Sequence, residues 1–240
     1  MVAAGQGQKA NLRSGPWPRL LPPALLHAVP APQPPPAEAL LRRGPSSGDR
    51  RLVLLHGWGA DADDLLDLAD LLVNADTSVV ALRAPGLHPS GAGRQWYDLQ
   101  QSGWPELPGA LEGLRQRLEA LGQEVPLRRT VLLGFSQGAA MALDVASGGA
   151  GLPVAGVVGC SGYPHPDWQL CGGDHQSFPV LLTHGQQDPV VPFAASVELS
   201  ERLRAGGHGV ELLGFPGGHT IDMALIPSIR SAITDAWMEA

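Results

Sequence analysis

Two cysteines, Cys160 and Cys171, are all that the 240 residues contain. They cannot make a disulfide framework, so both read as reduced thiols and a cytoplasmic setting is the simplest expectation. Long apolar runs are also missing: no stretch approaches the roughly 18 residues of a membrane-spanning helix, and no integral membrane association is expected. Basic charge is scarce. Sixteen Lys and Arg against 23 Asp and Glu leave a net charge of −7, which excludes the usual footprint of a nucleic-acid or anionic-membrane surface. His27, His88, His165, His175 and His208 are scattered without ligand spacing, so no metal site is expected.

Acidic residues are absent from residues 1–37, where Lys9, Arg13 and Arg19 are the only charges and nine prolines fall between Pro16 and Pro36. Pro34-Pro35-Pro36 can neither continue a helix nor join the inside of a sheet. Pro22 and Pro23 interrupt the apolar residues Leu20-Leu21 and Leu25-Leu26, which argues against a signal peptide. Residues 1–50 are therefore expected to be a Pro-rich flexible leader, with a basic, acid-poor targeting segment and ordered edge structure as competing readings. Leu40 to Arg51 would add a short edge strand. Residues 51–240 should form one globular domain, consistent with a hydrophobic content of 44%.

What is present is an alternation of short apolar runs and helical ones. Leu52–Leu55, Val79–Leu82, Val131–Leu133, Val154–Val158, Phe178–Thr183 and Val210–Phe215 read as strands. Between them, Leu65–Leu72 follows the plausible N-cap Asp61, and helices are expected over Leu107–Leu121, Phe193–Arg204 and Met223–Trp237. Buried strands separated by helices imply an α/β class with a doubly wound, mostly parallel sheet, whose ligands gather at the carboxyl ends of the strands.

One such end is unusual. Gly134-Phe135-Ser136-Gln137-Gly138 joins the strand Val131–Leu133 to an Ala-rich helix, the G-x-S-x-G turn with the flanks that a nucleophile elbow needs. The motif alone is weak, and Gly159-Cys160-Ser161-Gly162 comes close by chance. A serine hydroxyl attacks only when a base takes its proton and a carboxylate fixes that base. Asp188 follows the strand ending at Thr183, in His184-Gly185-Gln186-Gln187-Asp188-Pro189, and His219 follows the next strand in Gly217-Gly218-His219. The order Ser, Asp, His is the one this architecture uses. Rivals exist: His184 could be the base and Asp222 the acid, but the first sits at a strand end suited to orienting its loop and the second at a helix start. For a developing oxyanion, the amide of Gln137 and that of Trp58, in the loop His56-Gly57-Trp58-Gly59, are the expected donors. Trp96 and Tyr97, within the long segment from Arg83 to Pro105, are expected to line an apolar acyl pocket, with loop packing as the alternative.

These residues together resemble the phospholipase/carboxylesterase family of α/β-hydrolases, which includes bacterial carboxylesterases and acyl-protein thioesterases. The similarity runs through Leu55-His56-Gly57-Trp58-Gly59, Arg83-Ala84-Pro85, Trp96-Tyr97-Asp98, the Ser136 elbow, Ser161-Gly162-Tyr163, His184 to Pro192 and Gly218-His219, from Arg51 to the C-terminus. The leader and Pro164 to Ser177 depart from it. The resemblance implies an α/β-hydrolase fold without a large lid, cleavage of carboxylic esters by Ser136, Asp188 and His219, and no cofactor. Acyl-thioesterase or lysophospholipase activity on the same residues is the alternative, and a non-catalytic binding protein the remaining one. The expected partner is a small acyl ester or thioester, with no nucleic acid; homo-oligomer formation is left open. Because residues 1–37 carry neither apolar periodicity nor a motif, their deletion is expected to leave melting temperature and ester turnover nearly unchanged. Loss of soluble protein on deletion would show instead that the leader covers part of the core.

Overall fold

The computed structural model describes residues 40–170 and 177–240. The leader of residues 1–37, with His27, and the second cysteine and His175 lie outside the described residues. Among the described residues the strands are β1 (Leu40–Arg43), β2 (Arg51–Leu55), β3 (Ser78–Leu82), β4 (Gly86–Leu87), β5 (Arg94–Gln95), β6 (Thr130–Phe135), β7 (Gly156–Cys160), β8 (Pro179–Gly185) and β9 (Gly209–Phe215). The α-helices are α1 (Leu66–Leu72), α2 (Leu107–Leu121), α3 (Gln137–Ser147), α4 (Ala194–Ala205) and α5 (Ile226–Glu239).

Seven strands form one sheet in the order β1-β3-β2-β6-β7-β8-β9. Every pairing is parallel except β1 with β3. The expected edge strand is β1, set antiparallel beside β3 with Leu40 opposite Leu82. Period-two alternation divides the strand side chains between two cores. Val53, Leu55, Val80, Leu132 and Leu182 face α2, α3 and α4, whereas Leu52, Leu54, Val79, Leu133 and Leu181 face α1 and α5. Both faces are covered, which is why the central strands read as continuous apolar runs.

Observed boundaries differ slightly from the sequence reading. The strand expected over Val154–Val158 pairs instead as Gly156–Cys160. Val154 and Ala155 are buried ahead of the strand, and glycine at 159 fits because a Cβ would lie 3.1 Å from Leu182 and 3.2 Å from Leu143. Asp61 does cap, accepting from Ala62 N at 2.6 Å, but a 3-10 turn over Ala62–Leu65 intervenes before α1.

The topology fixes where a ligand sits. From β2 the chain moves to β3 on one side and later to β6 on the other, so the winding reverses between β2 and β6. Open α/β sheets bind ligands at such a switch point, outside the carboxyl ends of the strands. Here those two ends carry the His56–Gly59 loop and Ser136. At the opposite end of β2, Arg51 is fully buried and shares its guanidinium among Ser78, the carbonyls of Leu121 and Ser46, and Glu124 at 2.7 Å.

Two glycines in helices should respond oppositely to a methyl group. A Cβ on Gly138, in α3, would lie 2.1 Å from the Leu55 carbonyl oxygen, whereas one on Gly113, in α2, meets nothing within 4 Å. Gly113→Ala is expected to raise unfolding free energy in urea by about 0.5–1 kcal/mol, the usual helix gain over glycine. Gly138→Ala should destabilise and pull Ser136 out of line; equal behaviour of the two variants would contradict the close approach of α3 to β2.

Candidate active site

Ser136 follows β6 directly, with φ 54° and ψ −117°, a left-handed conformation that a serine adopts only under constraint. The constraint is visible on both sides. A Cβ on Gly134 would lie 2.4 Å from the Gly138 carbonyl oxygen, so only glycine lets the strand pass beneath the helix it feeds. The Ser136 amide donates to the Cys160 carbonyl of β7 at 2.8 Å, extending the ladder to the nucleophile position. The side chain is thus held above the sheet at the first turn of α3.

The structure brings Ser136, Asp188 and His219 together in one line. Ser136 Oγ lies 3.0 Å from His219 Nε2, and His219 Nδ1 donates to Asp188 Oδ2 at 2.6 Å. Three loops after three strands supply them, and glycines let the loops meet. A Cβ on Gly185 would lie 2.2 Å from the Gly218 carbonyl, where the acid's strand passes the histidine's loop. The Asp188 side chain has no exposed surface, while His219 keeps 17%. Burial alone would push the Asp188 carboxyl up, but bonds from His219 and from the Val191 and Val190 amides, at 2.9 and 2.8 Å, hold it below its ordinary value.

Both rivals have other duties. His184 is fully buried; its Nε2 donates to the Val191 carbonyl at 2.8 Å and lies 3.3 Å from Asp188 Oδ2, while Ser196 meets its Nδ1 at 2.6 Å. It orients the acid's loop, and burial pushes its pKa down. Asp222 accepts from Ala224 N at 2.9 Å and caps the turn into α5.

The His56–Gly59 loop is set by its histidine. His56 Nδ1 donates to the Gly57 carbonyl at 2.8 Å, and its Nε2 accepts from Ala84 N at 3.1 Å. A trans peptide points its carbonyl and its amide in opposite directions. Holding the Gly57 carbonyl therefore aims the Trp58 N–H the other way. Gln137 is the first residue of α3, where helix amides have no partner within the helix and the positive dipole end lies.

Trp96 and Tyr97 depart from the expected pocket-lining role. They are 3% and 0% exposed, and their polar groups are engaged in bracing. Trp96 N donates to Gln137 Oε1 at 3.0 Å and Trp96 Nε1 to the His56 carbonyl at 3.0 Å, while Gln137 Nε2 donates to the Tyr97 carbonyl at 2.8 Å. Just upstream, Gly59 N bonds the Arg94 carbonyl, Arg94 N the Ala60 carbonyl, and Trp58 Nε1 reaches Gln95 Oε1, each at 2.8 Å. Residues 94–97 form a strap that ties the His56–Gly59 loop to the Ser136 elbow. The sequence reading missed this; an amide side chain immediately after the nucleophile was the available clue. A small buried apolar cluster of Ala140, Tyr163, Val191 and Ala195 packs against the half-buried Leu99 and Trp104. Among the described residues no group of His, Cys, Asp and Glu could hold a metal ion.

A serine, an imidazole and a buried carboxylate in hydrogen-bonded series, at the switch point of a doubly wound sheet, define the class of α/β-hydrolases. Comparison with known proteins narrows this: the model of the phospholipase/carboxylesterase family matches residues 44–236, and the chain belongs to that family. It is an enzyme of the carboxylesterase kind. Esterase YpfH of Escherichia coli is 29% identical over 184 residues, covering 71% of this chain and 76% of the relative. Acyl-protein thioesterase 1 of Neurospora crassa is 24% identical over 215 residues, covering 75% and 81%. Among solved structures, esterase PE8 superposes with a TM-score of 0.72 at 27% identity, covering 82% of this chain and 97% of that one. No described helix is long and apolar enough to cross a membrane.

The depressed Asp188 carboxyl carries a pH signature. A group whose folded pKa lies below its unfolded value near 3.9 stabilises the fold above that pH and loses the contribution as pH falls through the folded pKa. Between pH 5 and 2.5, urea unfolding should show the stability difference between wild type and Asp188→Asn constant down to about pH 4 and then shrinking. A difference that grows on acidification would contradict the bonding described for Asp188.

Proposed function

We propose that this chain hydrolyses carboxylic esters of short to medium acyl length through an acyl-enzyme on Ser136. The observation that carries the proposal is the series Ser136 Oγ to His219 at 3.0 Å and His219 to Asp188 at 2.6 Å. His219 takes the hydroxyl proton, the serine oxygen attacks the ester carbonyl, and the amides of Trp58 and Gln137 hold the oxyanion. The imidazolium, held by Asp188, then gives its proton to the leaving alcohol. Water attacks the acyl-enzyme with His219 again as base, releasing the acid and regenerating the serine. Only His219 of the pair is exposed, which suits a group that must touch substrate while its carboxylate stays dry.

A thioester reading is favoured by the likeness to the fungal acyl-protein thioesterase. Ester and thioester pass through the same oxyanion, so the residues above serve both, as they would a lysophospholipid. The low cysteine count supports a reducing, cytoplasmic setting, and Cys160, buried with its thiol pushed up to about 11, is poorly reactive.

Purified protein should label once per chain with a fluorophosphonate, and Ser136→Ala should abolish labelling and lower turnover by roughly 10⁴–10⁶-fold. Asp188→Asn should lower turnover by about 10⁴-fold while the fold persists. A panel of nitrophenyl esters of rising chain length set against one acyl thioester ranks the two substrate readings. Labelling that survives at another serine would overturn the proposal.

A further inference from the structure

Below the strap lies a second hydrogen-bonded series that the reaction at Ser136 does not use. His165 Nδ1 donates to Asp144 Oδ2 at 2.6 Å, and His165 Nε2 lies 3.1 Å from the Tyr97 hydroxyl, which is 2.7 Å from that of Tyr163. With a neutral imidazole, Tyr97 donates to His165 and Tyr163 donates to Tyr97, so all four groups are satisfied. The His165 side chain is 1% exposed and that of Asp144 14%. Asp144 interrupts an otherwise apolar stretch of α3, two turns beyond Ser136. Glycine at 148 leaves room for its carboxylate, since a Cβ there would lie 2.4 Å from Asp144 Oδ1. Taking a carboxylate and an imidazole out of water is costly, and apolar side chains would fill the same space more cheaply.

We propose that Asp144 and His165 are positioning residues for the reaction at Ser136, acting through the Tyr97 hydroxyl on the strap that braces the oxyanion loop. This rests on the ester-hydrolase reading above. The mechanical path is short. Tyr97 and Trp96 are neighbours; Trp96 holds the His56 carbonyl and bonds Gln137, and His56 in turn aims the Trp58 amide. At the other end, Tyr163 packs with Val191, whose amide holds Asp188. The Asp144–His165 pair thereby anchors a strap that touches both oxyanion donors and borders the acid's loop. Two bonds to the Tyr97 side chain fix its ring where apolar packing alone would let it slide.

The test compares His165→Leu, Tyr97→Phe, their double variant and His165→Gln, with His208→Leu as a control. His208 is buried beside Phe178 at the amino end of β8, far from Ser136, and its loss should lower melting temperature without changing kcat. With nitrophenyl butyrate well below melting, His165→Leu and Tyr97→Phe should each lose about tenfold in kcat, part of the 10²–10³ that an oxyanion donor is worth. KM should move less than about twofold, and the double variant should be no worse than the weaker single, because both act through one hydroxyl. His165→Gln, which can still donate to Asp144 and accept from Tyr97, should recover part of the loss. Hydrogen exchange of the Trp96 amide should quicken in His165→Leu and Tyr97→Phe but not in His208→Leu. Unchanged kcat, additive losses, or unchanged Trp96 exchange would each overturn the proposal. Tyr97→Phe removes one oxygen and keeps the measurement available if His165→Leu fails to fold. A wild type that cleaves no ester would defeat the hydrolase reading alone, and the exchange rates would still decide the positioning role.

Discussion

The left-handed backbone at Ser136 is the constraint on which the site depends. Such a conformation costs a serine on the order of 1–3 kcal/mol and survives only where the surroundings leave no alternative. Those surroundings are three close approaches: Gly134 beneath Gly138, Gly138 against the Leu55 carbonyl, and the Ser136 amide on the Cys160 carbonyl. Each involves a different strand, so the elbow forms only when β2, β6 and β7 are in register. The strain thus couples Ser136, the proposed nucleophile, to the completeness of the sheet, and the fold's stability is what keeps the hydroxyl raised.

A strained elbow places one of the proposed oxyanion amides but says nothing about the other, which belongs to a loop from a different strand. The strap over residues 94–97 closes that gap. Gln137 contributes twice: its backbone amide begins α3, and its carboxamide reads both the amide of Trp96 and the carbonyl of Tyr97. Trp96 then bonds the His56 carbonyl from its ring nitrogen. The spacing of the Trp58 and Gln137 amides, the proposed oxyanion donors, is therefore held by side-chain hydrogen bonds in addition to the pairing of β2 with β6. Buried polar networks of this kind specify geometry better than apolar contacts, at a higher desolvation cost.

The sequence made the sheet and the meeting of Ser136, Asp188 and His219 legible, because apolar periodicity and strand-end position are local signals. Leu107–Leu121 formed as expected to the residue, and Asp188 and His219 meet Ser136 although 31 and 83 residues separate His219 from its two partners. The bracing was not legible. Trp96 and Tyr97 read as pocket walls because an aromatic pair in a long loop near the strand ends suggests an apolar lining. Whether a ring faces the cleft or the core depends on the direction of the loop, and no period encodes that. His165 read as one of several scattered histidines, since its partner Asp144 lies 21 residues away on a helix whose neighbours are Ala, Leu and Val.

Among the described residues histidine lies next to a carboxylate at three places, and the contrast bears on why one of them suits the proposed catalysis. His184 and His165 each have a carboxylate within 3.3 and 2.6 Å, yet both are buried, and their remaining nitrogens meet Ser196 and Tyr97. Tyr97 is a hydroxyl beyond the reach of substrate, with burial holding its pKa well above the ordinary tyrosine range, so its proton has no reason to leave. His219 alone of the three keeps some exposure, 17%, with a dry carboxylate on one nitrogen and Ser136 on the other. What separates the proposed base from the two struts is the exposure of the imidazole, 17% for His219 against 1% for His165 and 0% for His184. The same Asp–His pairing fixes geometry where the imidazole is sealed, and the proposed proton transfer falls to the one imidazole that is not.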